Sequence, residues 1–170
     1  MKGYIQVYTG NGKGKTTAAL GLALRAAGAD KQVYIAQFVK GMPYSEQKIL
    51  PAIDKITLKQ YGRGCFIYQK PTPEDIEAAR DGLKEVALIL KKGEHDVVVL
   101  DEACIALYYS LFSFDELNEA ITNRAAHVEV VVTGRYAPPE LIELADLVTE
   151  MKEIKHYYTS GVEARSGIEK

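Results

Sequence analysis

An apolar run, Tyr4-Ile5-Gln6-Val7-Tyr8, leads into Thr9-Gly10-Asn11-Gly12-Lys13-Gly14-Lys15-Thr16-Thr17, and an alanine- and leucine-rich stretch follows. This order of strand, glycine-rich turn and helix is a phosphate-binding loop. The glycines let the backbone curl until several N–H groups point at one anion. The start of the helix adds unpaired donors and partial positive charge. Lys15 can reach the outer phosphates of a nucleoside triphosphate, and the Thr16 hydroxyl can ligate Mg²⁺. One position departs from the usual pattern: Thr9 stands where the first glycine belongs, with Gly10 and Gly12 close by and Lys13 adding a second charge.

A strand of this kind needs parallel neighbours, and the chain supplies them. Candidate strands fall at 4–9, 32–37, 55–60, 96–101, 128–133 and 147–151. Helical patterns lie between them, near 15–28, 73–92, 103–110, 114–123 and 138–145. Val97-Val98-Val99-Leu100 and Val128-Glu129-Val130-Val131-Val132 are β-branched and nearly continuous, as suits strands covered on both faces. The alternation predicts an α/β three-layer sandwich with a mostly parallel sheet. Thr72-Pro73-Glu74-Asp75 and Ser113-Phe114-Asp115-Glu116 read as helix starts, and Pro138-Pro139 opens a short helix. The segments 38–53 and 61–71 are less regular, and long loops in compact domains are often functional.

At 170 residues the expected organisation is a single domain over residues 1–170. The net charge of −2 gives no general electrostatic case for nucleic acid or a membrane surface. No apolar run reaches the length of a membrane span. The strand-like N-terminal residues lead us to expect no cleavable signal. Cys65 and Cys104 form no metal-binding spacing, and two reduced thiols in a cytoplasmic protein is the simpler reading. The histidines at 95, 127 and 156 are scattered, and no nucleophile–base pair stands out.

The run Val97–Leu100 ends in Asp101-Glu102, the usual partner of a phosphate loop, where a carboxylate holds Mg²⁺ directly or through water. In open parallel sheets the ligand crevice lies at the carboxyl ends of the strands. Asp101 and Glu102 are therefore expected beside Lys15 and Thr16. Arg135, after Thr133-Gly134, should open on the same crevice as a phosphate or carboxylate contact; the plain alternative is a surface arginine after a turn glycine. Lys40, after Gln37-Phe38-Val39, carries the same two readings.

Several segments together resemble the P-loop type of corrinoid adenosyltransferase. They are the loop Thr9–Thr17, Gln37-Phe38-Val39-Lys40-Gly41, Leu100-Asp101-Glu102, Thr133-Gly134-Arg135, Ala145–Met151, and the tail Lys155-His156, Gly161 and Gly167-Ile168-Glu169. The likeness spans nearly the whole chain and implies a P-loop NTPase fold of the recombinase-like kind. It implies transfer of the 5′-deoxyadenosyl group of ATP to the Co(I) of a reduced corrinoid, with triphosphate leaving. By resemblance, Gly10, Asn11, Gly12, Lys13, Gly14, Lys15 and Thr16 bind the triphosphate, and Thr16 and Glu102 ligate Mg²⁺ with Asp101 close behind. Lys15, Thr16 and Glu102 are the expected catalytic set.

The family also removes the lower axial ligand of cobalt with aromatic residues, and an electron donor such as reduced flavodoxin then supplies Co(I). The matching stretch here is Gly62-Arg63-Gly64-Cys65-Phe66-Ile67-Tyr68. It has one extra residue and no Trp, but Phe66 and Tyr68 keep the aromatic spacing. The resemblance further implies a homodimer. Some members carry an N-terminal arm that covers the corrinoid; the reading here, with the first strand at 4–9, expects none. Two other readings use the same loop: a P-loop ATP phosphohydrolase or kinase, and a nucleotide-dependent corrinoid-binding protein with little turnover.

Overall fold

The computed structural model describes residues 2–63 and 70–169. Six strands form one sheet: β1 (Ile5–Thr9), β2 (Val33–Gln37), β3 (Ile56–Gln60), β4 (Val97–Asp101), β5 (Glu129–Thr133) and β6 (Leu147–Glu150). The spatial order is β3-β2-β4-β5-β1-β6, and every pairing is parallel. The helices are α1 (Lys15–Ala27), α2 (Pro73–Lys92), α3 (Ala103–Tyr108), α4 (Phe114–Thr122) and α5 (Pro139–Leu144). The expected α/β three-layer sandwich is thus present, and the sheet is parallel throughout the described residues.

Side-chain alternation along the strands divides the core in two. Tyr34 and Ala36 of β2, Val98 and Leu100 of β4, and Val130 and Val132 of β5 face one layer, where they meet Leu83, Val86 and Leu90 of α2 and Leu117 and Ile121 of α4. Val33, Ile35, Val97, Val99 and Val131 face the other, against Ala19, Ala23 and Ala26 of α1. β2 and β4 are buried along their full length, as strands covered on both faces must be. The buried stripe of α1 is built from small alanines and has Lys15 at its head. Packing this stripe on the sheet therefore also fixes the lysine.

Both helix starts read from the sequence are capping boxes. Thr72 accepts from the Asp75 N–H while Asp75 reaches back, and Ser113 and Glu116 do the same. The segment 38–53 holds two short 3₁₀ turns, Ser45–Lys48 and Leu50–Ala52, which apolar periodicity is too short to reveal. Strand register sets the geometry that matters here. Gln37 pairs with Asp101, and Tyr8 with Thr133, so the carboxyl ends of β1, β2, β4 and β5 finish level.

Candidate nucleotide site at the carboxyl ends of the strands

The loop between β1 and α1 turns on Gly14, whose φ of 118° is closed to most side chains. Gly12 is constrained by proximity instead. Its N–H donates to Met151 O at 2.6 Å, and a Cβ there would lie 2.6 Å from the same oxygen. The segment leaving β6 thus braces the loop from outside, while Met151 N–H donates to Thr9 O at 2.8 Å. Asn11 and Lys13 are exposed, and Gly14 is half-buried.

Lys15 is 7% exposed and donates to both Gly10 O and Gly12 O at 2.7 Å, so it lies across its own loop. Burial lowers its pKa, partly offset by Glu102, while Arg135 adds to the lowering. An ammonium held this way is ready to exchange carbonyl partners for phosphate oxygens.

Asp101 is fully buried, and its carboxylate is saturated. Oδ1 accepts from Thr16 Oγ1 at 2.8 Å and from Thr133 Oγ1 at 2.7 Å. Oδ2 accepts from Lys40 Nζ at 2.7 Å and from Gln37 Nε2 at 3.3 Å. Four donors fill the acceptor positions of a carboxylate. Asp101 therefore ties the phosphate loop to β2 and β5, with little capacity left for a direct metal bond.

Lys40 reaches Asp101 through a sharp turn at Val39, whose φ of 62° is unusual for a β-branched residue. Such a conformation costs on the order of 1–3 kcal/mol and persists only where its surroundings impose it. Burial alone would lower the Lys40 pKa, but the Asp101 carboxylate outweighs it and the net direction is up. Glu46 lies 4.0 Å from the same ammonium.

Glu102 follows in the left-handed conformation, φ 59° and ψ 19°, at the start of α3. For a non-glycine residue this costs roughly 1–2 kcal/mol. Its side chain caps nothing in the helix, and its main-chain N–H donates to Thr133 Oγ1 at 3.0 Å. Its pKa is raised, first by burial and then by Asp101, against the lowering influence of Lys40, Lys15 and Arg135. That set of neighbours puts the carboxylate among Lys15, Lys40, Asp101 and Arg135. Arg135 is exposed at the end of β5 and acts on both Lys15 and Glu102.

The structure brings Lys15, Thr16, Lys40, Asp101 and Glu102 together at the carboxyl ends of the strands, with Arg135 close enough to act on Lys15 and Glu102. Phe66 and Tyr68 lie outside the described residues. Sequence reasoning missed Thr133 and Gln37, both fully buried against Asp101. The available signal was their place at strand ends in register with β1 and β4.

The crevice also fits a hard divalent cation. Thr16 and Glu102 offer oxygen donors, and the Glu102 carboxylate accepts no hydrogen bond from a described residue. No cluster of three or more metal-binding side chains occurs among the described residues. Mg²⁺ needs none, because it is commonly held by one or two protein oxygens together with phosphates and water. Tyr108 stacks on Tyr136 with ring centroids 4.4 Å apart, and both line a groove of about 510 Å³. Cys104 is a buried free thiol whose pKa is pushed up to about 12, by burial and then by Glu102. No helix among the described residues is long and apolar enough to cross a membrane.

Comparison with known proteins gives a consistent relationship. The family model for ATP:corrinoid adenosyltransferase BtuR/CobO/CobP matches residues 1–169. The corrinoid adenosyltransferase of Escherichia coli (strain K12) is 35% identical over 169 residues, covering 99% of this chain and 86% of that protein. The corrinoid adenosyltransferase of Pseudomonas aeruginosa is 35% identical over 170 residues, covering 99% and 84%. Corrinoid adenosyltransferase CobA of Salmonella typhimurium is 36% identical over 169 residues, covering 99% and 86%.

Proposed function

The chain belongs to the ATP:corrinoid adenosyltransferase family, and from that premise we infer that it transfers the 5′-deoxyadenosyl group of ATP to the Co(I) of a reduced corrinoid. The cobalt attacks the ribose C5′, the C5′–O bond breaks, and inorganic triphosphate leaves with the bonding pair. The observation that carries this reading is the Thr16–Asp101 hydrogen bond of 2.8 Å, which closes the phosphate loop against the end of β4 with Lys15 alongside.

In this reading the triphosphate lies on Gly10, Asn11, Gly12, Lys13, Gly14, Lys15 and Thr16. Lys13, Lys15 and Arg135 offset the charge that develops on the leaving oxygens. Lys40 acts from behind, holding Asp101 and through it Thr16. Mg²⁺, held by Thr16 and Glu102, would neutralise phosphate charge as a Lewis acid when bound. No side chain need act as an acid or base, because Co(I) is already a strong nucleophile. What the protein supplies is alignment, which can contribute roughly 7–11 kcal/mol.

We assign Phe66 and Tyr68 to the lower face of the corrin, and an electron donor such as reduced flavodoxin to the supply of Co(I). We place the reaction in the cytoplasm, where thiols stay reduced. A homodimer is supported by apolar side chains left exposed on the edge strand, Leu147 and Val148, and on the tail, Ile154 and Tyr158.

Phosphorus NMR on an anaerobic reaction of ATP with a Co(I) corrinoid tests the assignment. Triphosphate should accumulate one-for-one with adenosylated corrinoid. Release of ADP without any corrinoid requirement would point instead to a phosphohydrolase on the same loop.

A further inference from the structure

Thr133 lies at the end of β5, between the strand that carries the phosphate loop and the strand that carries Asp101 and Glu102. Its side chain is fully buried. The single oxygen Oγ1 does two things at once. It donates to Asp101 Oδ1 at 2.7 Å and accepts from the Glu102 main-chain N–H at 3.0 Å. A hydroxyl has one proton to give, so its donor is spent on Asp101.

The two bonds join consecutive residues with different tasks. Asp101 also accepts from Thr16, so one end of the relay reaches the phosphate loop. The other end reaches the residue that leaves the strand in the left-handed conformation and turns its side chain out of the sheet. Among the described residues, the Glu102 side chain makes no capping bond to hold that turn. Among the described residues, the Thr133 hydroxyl is the only side chain bonded to its N–H. Asp101 fixes the hydroxyl, the hydroxyl fixes the Glu102 amide, and the amide fixes the direction of the Glu102 carboxylate.

We propose that Thr133 is a positioning residue for this enzyme, setting the Glu102 carboxylate and the Thr16 hydroxyl at the separation that a divalent cation bound with ATP requires. The inference rests on the assignment of Glu102 and Thr16 as the metal-binding pair. Supporting groups of this kind typically change metal affinity by about 10–100-fold when removed. The effect should fall on the metal and not on the nucleotide alone, because among the described residues the Thr133 hydroxyl bonds to Asp101 and the Glu102 N–H and to no N–H of the loop 10–16.

The test uses the full chain with Thr133→Val, Thr133→Ser and Glu102→Gln. Mn²⁺ binding in the presence of ATP is followed by electron paramagnetic resonance, and ATP binding in excess chelator by calorimetry. Thr133→Val should weaken Mn²⁺ binding by about 10–100-fold while metal-free ATP affinity is unchanged within error. Thr133→Ser, which keeps the hydroxyl, should restore it. In the Glu102→Gln background, Thr133→Val should add little further loss. If Thr133→Val does not fold, Thr133→Ala, which puts no methyl against the buried carboxylate, is read in the same way.

Normal Mn²⁺ binding by the Thr133 variants, with Glu102→Gln impaired, would overturn the proposal and leave the metal assignment standing. Normal binding by Glu102→Gln would overturn both. A parallel fall in metal-bound and metal-free ATP affinity together with thermal stability, not rescued by serine, would reduce Thr133 to a structural part of the sheet.

Discussion

Lys40 Nζ lies 2.7 Å from Asp101 Oδ2, and the two side chains are 11% and 1% exposed. An ion pair this dry depends on both members, because removing one leaves a charge in a medium that solvates it poorly. Asp101→Ala strands Lys40 and also frees Thr16, Thr133 and Gln37. It should lower stability by about 3–5 kcal/mol, seen as a lower urea midpoint with an unchanged slope. Lys40→Met leaves Asp101 three other donors and should cost less. An Asp101→Ala curve superimposed on the wild type would show that the pair contributes nothing.

The phosphate loop predicts a separation of binding from folding. Among the described residues, Lys15 bonds to carbonyls of its own loop and Thr16 to Asp101. Lys15→Ala and Thr16→Ala should keep the far-ultraviolet circular dichroism of the wild type. Turnover should fall by roughly 100–1000-fold or more, as when an oxyanion donor is removed. Calorimetry with Mg–ATP should show the matching loss of affinity for Lys15→Ala. Unchanged affinity and turnover in both variants would remove the loop from the mechanism.

Glu102 carries a stability cost that pH should reveal. Its folded-state pKa is raised above the unfolded value, chiefly by burial. Between those two values the folded state holds a proton that the unfolded state has lost. Stability of the ligand-free protein therefore falls as pH rises through that window, and the cost persists above it. Glu102→Gln should raise the melting temperature at neutral pH and hardly alter it below the unfolded carboxylate pKa. The same variant should lose metal-dependent activity, a trade of function for stability. Equal melting temperatures at neutral pH would show that the carboxylate is well solvated.

Much of this was legible in the chain. The strands and helices followed from β-branched runs and helix caps, because each is specified within a few residues. The phosphate loop and Asp101-Glu102 were legible for the same reason: each sits at the end of its own strand. What could not be read was who bonds to whom across strands. Lys40 carried two readings, a contact in the crevice or a surface residue, and neither foretold its bond to Asp101, 61 positions away. Thr133 carried no signal as a residue type. Its role comes from parallel register, which places it beside the Asp101-Glu102 junction 32 residues earlier. Local pattern does not encode register between distant strands.

Phe66 and Tyr68 should act on the corrinoid and not on the nucleotide. The described residues just before them in sequence are tied to the site: Gly62 N–H donates to Lys40 O at 3.2 Å, and Lys40 is bound to Asp101. On the far side, α2 begins from the Thr72 cap. If the two aromatics act on the lower face of the corrin, they should matter for reducing Co(II) and hardly at all for binding ATP. Phe66→Ala/Tyr68→Ala should slow turnover severely when a reduced flavoprotein must generate Co(I). The loss should be much smaller when Co(I) is pre-formed chemically, because axial-ligand removal is then bypassed. The spectrum of four-coordinate Co(II), formed by the wild type with Mg–ATP, should be missing from the double variant, while calorimetry with ATP is unaltered. Equal losses in both assays, together with a lowered melting temperature, would instead make the pair ordinary packing residues.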